Sequence, residues 1–193
     1  PTRRGTVNVF TIEHTNPILD QVALAQIGLE NYGLFAAADT FMPRPVANRF
    51  DASNNFIVVG RGSDKPIEKA VDMLQRGQVQ NLVIYPEGSV PAGLYEGRPL
   101  REKFTWGLID RLRREGYEVN VVPISLPDNF RINNNWGNPI EANAQELRAV
   151  IHRPLDSQMV DMMRATGDEQ MLNRHIRSIW MADHATDANQ LVG

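Results

Sequence analysis

His14 and Asp20 are the residues of this chain whose types and spacing most directly suggest chemistry. The stretch TIEHTNPILD, residues 11–20, sets a histidine just past an apolar, strand-like run. Asn16 and Pro17 then read as an N-cap and a first helical residue, and Asp20 follows about one turn into the next apolar segment. The chain therefore switches from strand to helix here, with His14 at the switch. A histidine and a carboxylate that approach each other across such a turn make a general base with an orienting partner, the arrangement that deprotonates a hydroxyl or an amine. Taken singly, a histidine at a strand end reads as a hydrogen-bonded structural residue, so the weight of His14 depends on what converges with it.

The elements that must position these residues alternate between strand and helix. Residues 6–12, TVNVFTI, read as a strand that delivers Glu13 and His14 to its carboxyl end. Residues 17–32 read as a helix with Ile18, Val22, Ala25 and Leu29 on one face and Gly33 as its stop. Residues 34–38 follow as a short buried strand, and 39–55 as a loop. Residues 56–60, FIVVG, form the next strand and end on Arg61. Ser63 or Asp64 caps a helix over 65–76 whose Ile67, Ala70, Val71 and Leu74 make an apolar stripe, and Gly77 ends it. Residues 82–85, LVIY, are a continuous apolar strand of the fully buried kind, running into Pro86, Glu87, Gly88 and Ser89.

Beyond a Gly- and Pro-broken loop over 91–99, residues 101–115 read as a helix with Phe104, Leu108, Ile109 and Leu112 inward. Residues 119–126, VNVVPISL, are another buried strand, in which the missing N–H of Pro123 argues for an edge or a bulge. An Asn-rich irregular stretch spans 129–143, a last strand candidate 147–152, and a terminal helix 168–181 with Met171, Leu172, His175, Ile176, Ile179 and Trp180 on one broad face. This order predicts an α/β fold, a mostly parallel central sheet flanked by helices. His14, Arg61 and Pro86-Glu87-Gly88 then share the carboxyl edge of the sheet, where open α/β sheets hold their ligands.

Composition bounds the reading. At 193 residues, with 42% apolar and 22% charged side chains, the chain suits a single domain over 1–193 with a substantial core. Its first residue, Pro1, suits a processed chain or a domain excised from a longer membrane-associated one. A net charge of −3 argues against a nucleic-acid partner, and the basic run RLRREG at 111–116 reads as a solvated helix face. With no cysteine there is neither disulfide nor thiolate metal site, and His152, His175 and His184 are too scattered in sequence to suggest a metal centre. No apolar run reaches the roughly 18 to 20 residues that span a bilayer.

Three blocks together resemble the glycerolipid acyltransferases of the lysophosphatidic acid acyltransferase type. EHTNPILD, with His14 and Asp20, is similar to that family's histidine-aspartate block. FIVVGR, with Arg61, is similar to its apolar strand ending in arginine. LVIYPEGS, with Glu87, Gly88 and Ser89, is the most specific match, and VVPISL with Pro123 is a weaker fourth. The similarity covers roughly residues 6 to 152. Two departures stand out: five residues, not four, separate His14 from Asp20, and Val90 occupies a position that the family usually fills with arginine. One inserted residue turns a helix by about 100°, so the turn before Asn16 must absorb it for the pair to face each other.

The resemblance implies a glycerol-3-phosphate acyltransferase-like fold and a fatty acyl transfer from acyl-CoA or acyl carrier protein to a hydroxyl or amine of a lysolipid or amino-lipid acceptor. No bound cofactor is implied, since the acyl thioester is a co-substrate. His14 would take the acceptor's proton and Asp20 would hold the imidazole. Arg61 suits a phosphate or carboxylate on the acceptor, although a salt bridge capping the strand end explains it equally. Glu87 could accept hydrogen bonds from acceptor hydroxyls, with self-capping of its turn as the plainer explanation, and Gly88 allows close approach of backbone. Ser89 belongs to the acceptor-binding block and sits in no Gly-x-Ser-x-Gly elbow, which argues against a serine nucleophile.

Val90 implies an altered head group, and Lys103, read first as a surface lysine, is the candidate substitute for the missing arginine. Met159, Met162, Met163, Met171 and Met181 suit a core better than an acyl- or membrane-facing surface. A cytoplasmic protein in peripheral contact with the inner membrane face is the matching location. The competing expectation is a catalytically inactive lipid- or partner-binding module of the same fold, in which the altered spacing separates the dyad. In that case Glu13 is the replacement carboxylate to consider, although neighbours on a strand face opposite ways. A third is a hydrolase using the same residues on water.

Overall fold

In the strand β1 (Gly5–Ile12), β-branched and aromatic side chains are apolar on both faces, the pattern of a strand covered on each side. In the computed structural model, which describes residues 4–13, 20, 24, 25, 27–37, 56–59, 65–87, 102–127 and 148–190, β1 lies inside a six-stranded sheet. The other strands are β2 (Tyr32–Ala37), β3 (Phe56–Val59), β4 (Asn81–Ile84), β5 (Tyr117–Ser125) and β6 (Val150–Ile151), in the order β3-β2-β4-β1-β5-β6. All pairings are parallel except β5 with β6. The protein is thus α/β with a mixed, mostly parallel sheet, as the strand and helix alternation predicts.

Alternation along the strands sorts the core into two layers. Val7 and Val9 of β1, Leu82 and Ile84 of β4, and Val119 and Val121 of β5 face one side. There they meet α1 (Lys65–Gln75), α2 (Glu102–Arg114), α3 (Ser157–Ala165) and α4 (Met171–Gln190) through Ala70, Leu108, Val160 and Trp180 among others. Phe10, Ile12, Val83, Val122 and Ile124 face the opposite side, where Leu24 packs on them. Asp20, Leu24 and Ala25 are helical, so the sheet carries helix on both faces.

The helix signals explain α1 and α2 well. In α1, Ala70, Val71 and Leu74 are buried and Ile67 partly so, and Gly77 closes the helix at φ +68 by donating its N–H to Leu74 O at 3.1 Å. In α2, Leu108, Ile109 and Leu112 are fully buried, while Phe104 packs edge-on against Phe35 with ring centroids 5.3 Å apart.

Other expectations need correction. The turn after the first helical segment comes at Gly28, which has φ +65 and donates to Ala25 O, and not at Gly33. Gly33 lies inside β2, where a Cβ would come within 3.0 Å of Ile57 Cδ1, so it is a close-packing glycine. The helix α3 was not expected; Asp156 caps it by accepting the Met159 N–H at 2.8 Å, and Val160 and Met163 bury one side. The terminal helix starts at Met171, after an Asp168 turn, and runs on to Gln190, well past the expected end at 181. Met163 is buried and Met159 packs against the core, but Met162, Met171 and Met181 are exposed, so the methionines divide between core and surface.

Pro123 does sit where the ladder is irregular. Its carbonyl accepts the His152 N–H at 3.0 Å, on the β6 side. Ile124 pairs with Ile151, whereas Val121 bridges Leu155, so three steps along β5 oppose four along its partner. That extra residue is a bulge opposite the one residue of β5 that lacks an N–H. Among the described residues no helix is long and apolar enough to cross a membrane.

Candidate functional site at the carboxyl edge

Strand order decides what meets at the carboxyl edge. β1 pairs with β4 through Thr11 and Ile84, and with β5 through Ile12 and Ile124. The residues that follow these three strands therefore emerge side by side, with neighbouring strands about 4.8 Å apart. They are Glu13 after β1, Tyr85, Pro86 and Glu87 after β4, and Leu126 after β5.

Of the expected site residues, Asp20 and Glu87 are described, and both are buried, Asp20 fully and Glu87 to 4% exposure. His14, Arg61, Gly88 and Ser89 lie outside the described residues. Asp20 makes itself felt at Tyr85: burial pushes the Tyr85 phenol well above its ordinary pKa, and the negative charge of Asp20 adds to this, followed by Tyr32. Asp20 is thus a fully buried group whose charge reaches Tyr85, the residue after β4. Lys103, the candidate replacement for the missing arginine, is exposed near the start of α2.

Two His–carboxylate contacts on the other face of this edge were not expected. By strand parity Glu13 follows Val7 and Val9 toward the face covered by α4. There its fully buried carboxylate meets His184 Nε2, at 2.8 Å from Oε1 and 3.0 Å from Oε2. A carboxylate has no proton to give, so the ring nitrogen carries the hydrogen and donates. Glu13 Oε2 also accepts the Leu126 N–H at 3.2 Å, and the Glu13 N–H donates to Ile124 O at 3.2 Å. Glu13 is therefore engaged by β5 and by the terminal helix.

One residue earlier on α4, Asp183 meets His152 Nε2 at 2.9 Å, and Ser125 Oγ lies 3.0 Å from the same nitrogen while donating to the Asp183 carboxylate. Serine, histidine and aspartate in contact suggest a hydrolytic triad, but the geometry is different. A triad uses both ring nitrogens, one toward serine and one toward the acid. Here both partners crowd onto Nε2, which must carry a proton to face a carboxylate and so has no lone pair with which to deprotonate the serine. Ser125 is also fully buried. The cluster ties β5, the segment after β6 and α4 together.

Sequence spacing gave no warning of these contacts, since Glu13 and His184 are 171 positions apart. One signal was present. The buried stripe Leu172, Ile176, Trp180 advances by fours, and its next step lands on His184, with Asp183 beside it. Among the described residues no group of three or more histidine, cysteine, aspartate or glutamate side chains is arranged to hold a metal ion. Neither a protein-family model nor a curated protein sequence matches the chain.

Proposed function

We propose that the chain is an acyltransferase with the glycerolipid acyltransferase fold, moving a fatty acyl group from acyl-CoA or acyl carrier protein to a hydroxyl or amine of a lysophospholipid-like acceptor. The observation that carries this reading is the burial of Asp20 and Glu87, from two separate sequence blocks, with Glu87 just past β4 where that strand runs beside β1. Titratable groups held in buried surroundings cluster at functional sites, which makes these two carboxylates candidates.

In this reading His14 removes the proton as the acceptor oxygen or nitrogen attacks the thioester carbonyl. The tetrahedral intermediate then expels the thiolate, which takes the proton back from the imidazolium. Asp20 holds the imidazole in its productive tautomer and stabilises the imidazolium. Arg61 faces an anionic group of the acceptor, Glu87 accepts hydrogen bonds from its hydroxyls, and Gly88 and Ser89 line its path. Work at the inner membrane face, in peripheral contact, follows from the lipid substrates.

The test is thiol release from long-chain acyl-CoA and acyl carrier protein thioesters, with and without a panel of lysophospholipid, glycerol phosphate and amino-lipid acceptors. Acceptor-dependent release with formation of the acylated product supports transfer. Release independent of any acceptor supports the hydrolase, and binding without release supports the inactive module.

A further inference from the structure

We infer that His152 is a second reactive site of this chain, a nucleophile toward activated acyl groups that works through Nδ1, with Asp183 and Ser125 as its positioning residues. The site goes beyond the transfer proposed above and does not depend on it. His152 Nε2 is already committed: it lies 2.9 Å from Asp183 Oδ2 and carries its proton there. In the neutral ring the lone pair is then on Nδ1. A proton fixed on one nitrogen by a carboxylate, with the lone pair left on the other, is the tautomer of a working imidazole.

Nδ1 is also within reach. Among the described residues nothing bonds to it, and it is not one of the buried side-chain atoms that lack a partner. The His152 side chain keeps 19% of its surface exposed, which admits a small acyl compound. The ring is held from three sides. The His152 N–H donates to Pro123 O at 3.0 Å, Ser125 Oγ lies 3.0 Å from Nε2, and the serine donates to the same Asp183 oxygen that faces the ring. A carboxylate that accepts from both the serine and the imidazole has its orientation set, and it sets the imidazole in turn.

The reaction balances with water as co-reactant. Nδ1 attacks the carbonyl carbon of an activated ester, the N–C bond forms, and the bond to the leaving phenolate breaks. The acylated ring keeps its Nε2 proton and is a cation, which the Asp183 carboxylate offsets. Water then cleaves the N–C bond. The carboxylic acid leaves, one proton goes to solvent and the neutral ring is restored.

The test uses two small acyl probes. Diethyl pyrocarbonate at neutral pH, followed by peptide mass mapping, reads which histidines are acylated and how fast, and p-nitrophenyl acetate reads turnover. In wild-type protein His152 is expected to be labelled faster than His175, which is half-buried on α4 with no carboxylate partner among the described residues. Asp183→Asn keeps an oxygen for Nε2 but not the charge, and should slow labelling of His152 about tenfold or more. His152→Gln places a donor where Nε2 stands, so the contact with Asp183 and the unfolding midpoint should be kept while p-nitrophenol release falls.

Labelling of His152 no faster than of His175 overturns the inference on wild-type protein alone, whatever the variants do. Unchanged p-nitrophenol release in His152→Gln, or unchanged labelling of His152 in folded Asp183→Asn, overturns it as well.

Discussion

Ser125 Oγ and His152 Nε2 lie 3.0 Å apart, yet they are not a nucleophile and its base. The nitrogen that faces the serine also faces the Asp183 carboxylate at 2.9 Å and carries its proton there, so the contact fastens the end of α4 to β5. Ser125→Ala should therefore leave acceptor-dependent thiol release within about twofold of wild type, while lowering stability in urea by about 1 kcal/mol for a lost hydrogen bond. Loss of turnover in a folded Ser125→Ala protein would show that the serine takes part in the chemistry.

Gly33 tests the packing of the sheet that carries the site. A Cβ there would meet Ile57 Cδ1 at 3.0 Å and Leu82 Cδ2 at 3.3 Å, and both of those side chains are fully buried. Gly33→Ala should destabilise the protein by about 1–2 kcal/mol, measured by chemical denaturation. A stabilised variant would mean that β2 and its neighbours have room that the structure does not give them.

The strands and the helices α1, α2 and, with shifted bounds, α4 were legible in the sequence because burial leaves a local mark. FIVV and LVI are apolar throughout since both faces of the sheet are covered, and α1 announces itself by Ala70, Val71 and Leu74 followed by Gly77. What failed was the reading of one glycine. Gly33 reads as a helix stop, and only the approach of Ile57 and Leu82 reveals that it is a packing position, the turn falling at Gly28. The helix α3 went unread because its apolar residues, Met159, Val160 and Met163, cover barely one turn, and only Asp156 marks its start.

For the candidate site, residue types at short spacing single out Asp20 and Glu87, and both are buried. The contacts on the opposite face of this edge could not be read that way. Glu13 and Ser125 find partners in His184, His152 and Asp183, all brought in from the segment after β6 and the terminal helix. No short motif encodes such contacts. The step of four along Leu172, Ile176 and Trp180 points toward His184, but only once the terminal helix is known to pack on the face that Glu13 occupies.

Tyr85 gives a pH prediction next to the candidate site. Burial and the Asp20 charge raise its pKa above the ordinary 10.0, so the folded state keeps the proton to a higher pH than the unfolded chain does. The unfolded phenol begins to ionise near pH 10.0 while the folded one remains neutral, so stability should fall as pH rises above that point. Below it the residue contributes no pH dependence. Tyr85→Phe should flatten this alkaline limb in unfolding curves taken from about pH 9 to 12, and an unchanged limb would mean that the phenol is not held neutral by its surroundings.

The central claim is that His14 is the base of an acyl transfer at the carboxyl edge, and it is tested most directly by formation of the acylated acceptor with wild type and with His14→Ala. Loss of a general base costs roughly 10²- to 10⁴-fold, so His14→Ala should lose kcat by that factor while binding the acyl thioester as before. Equal turnover by wild type and His14→Ala would contradict the claim.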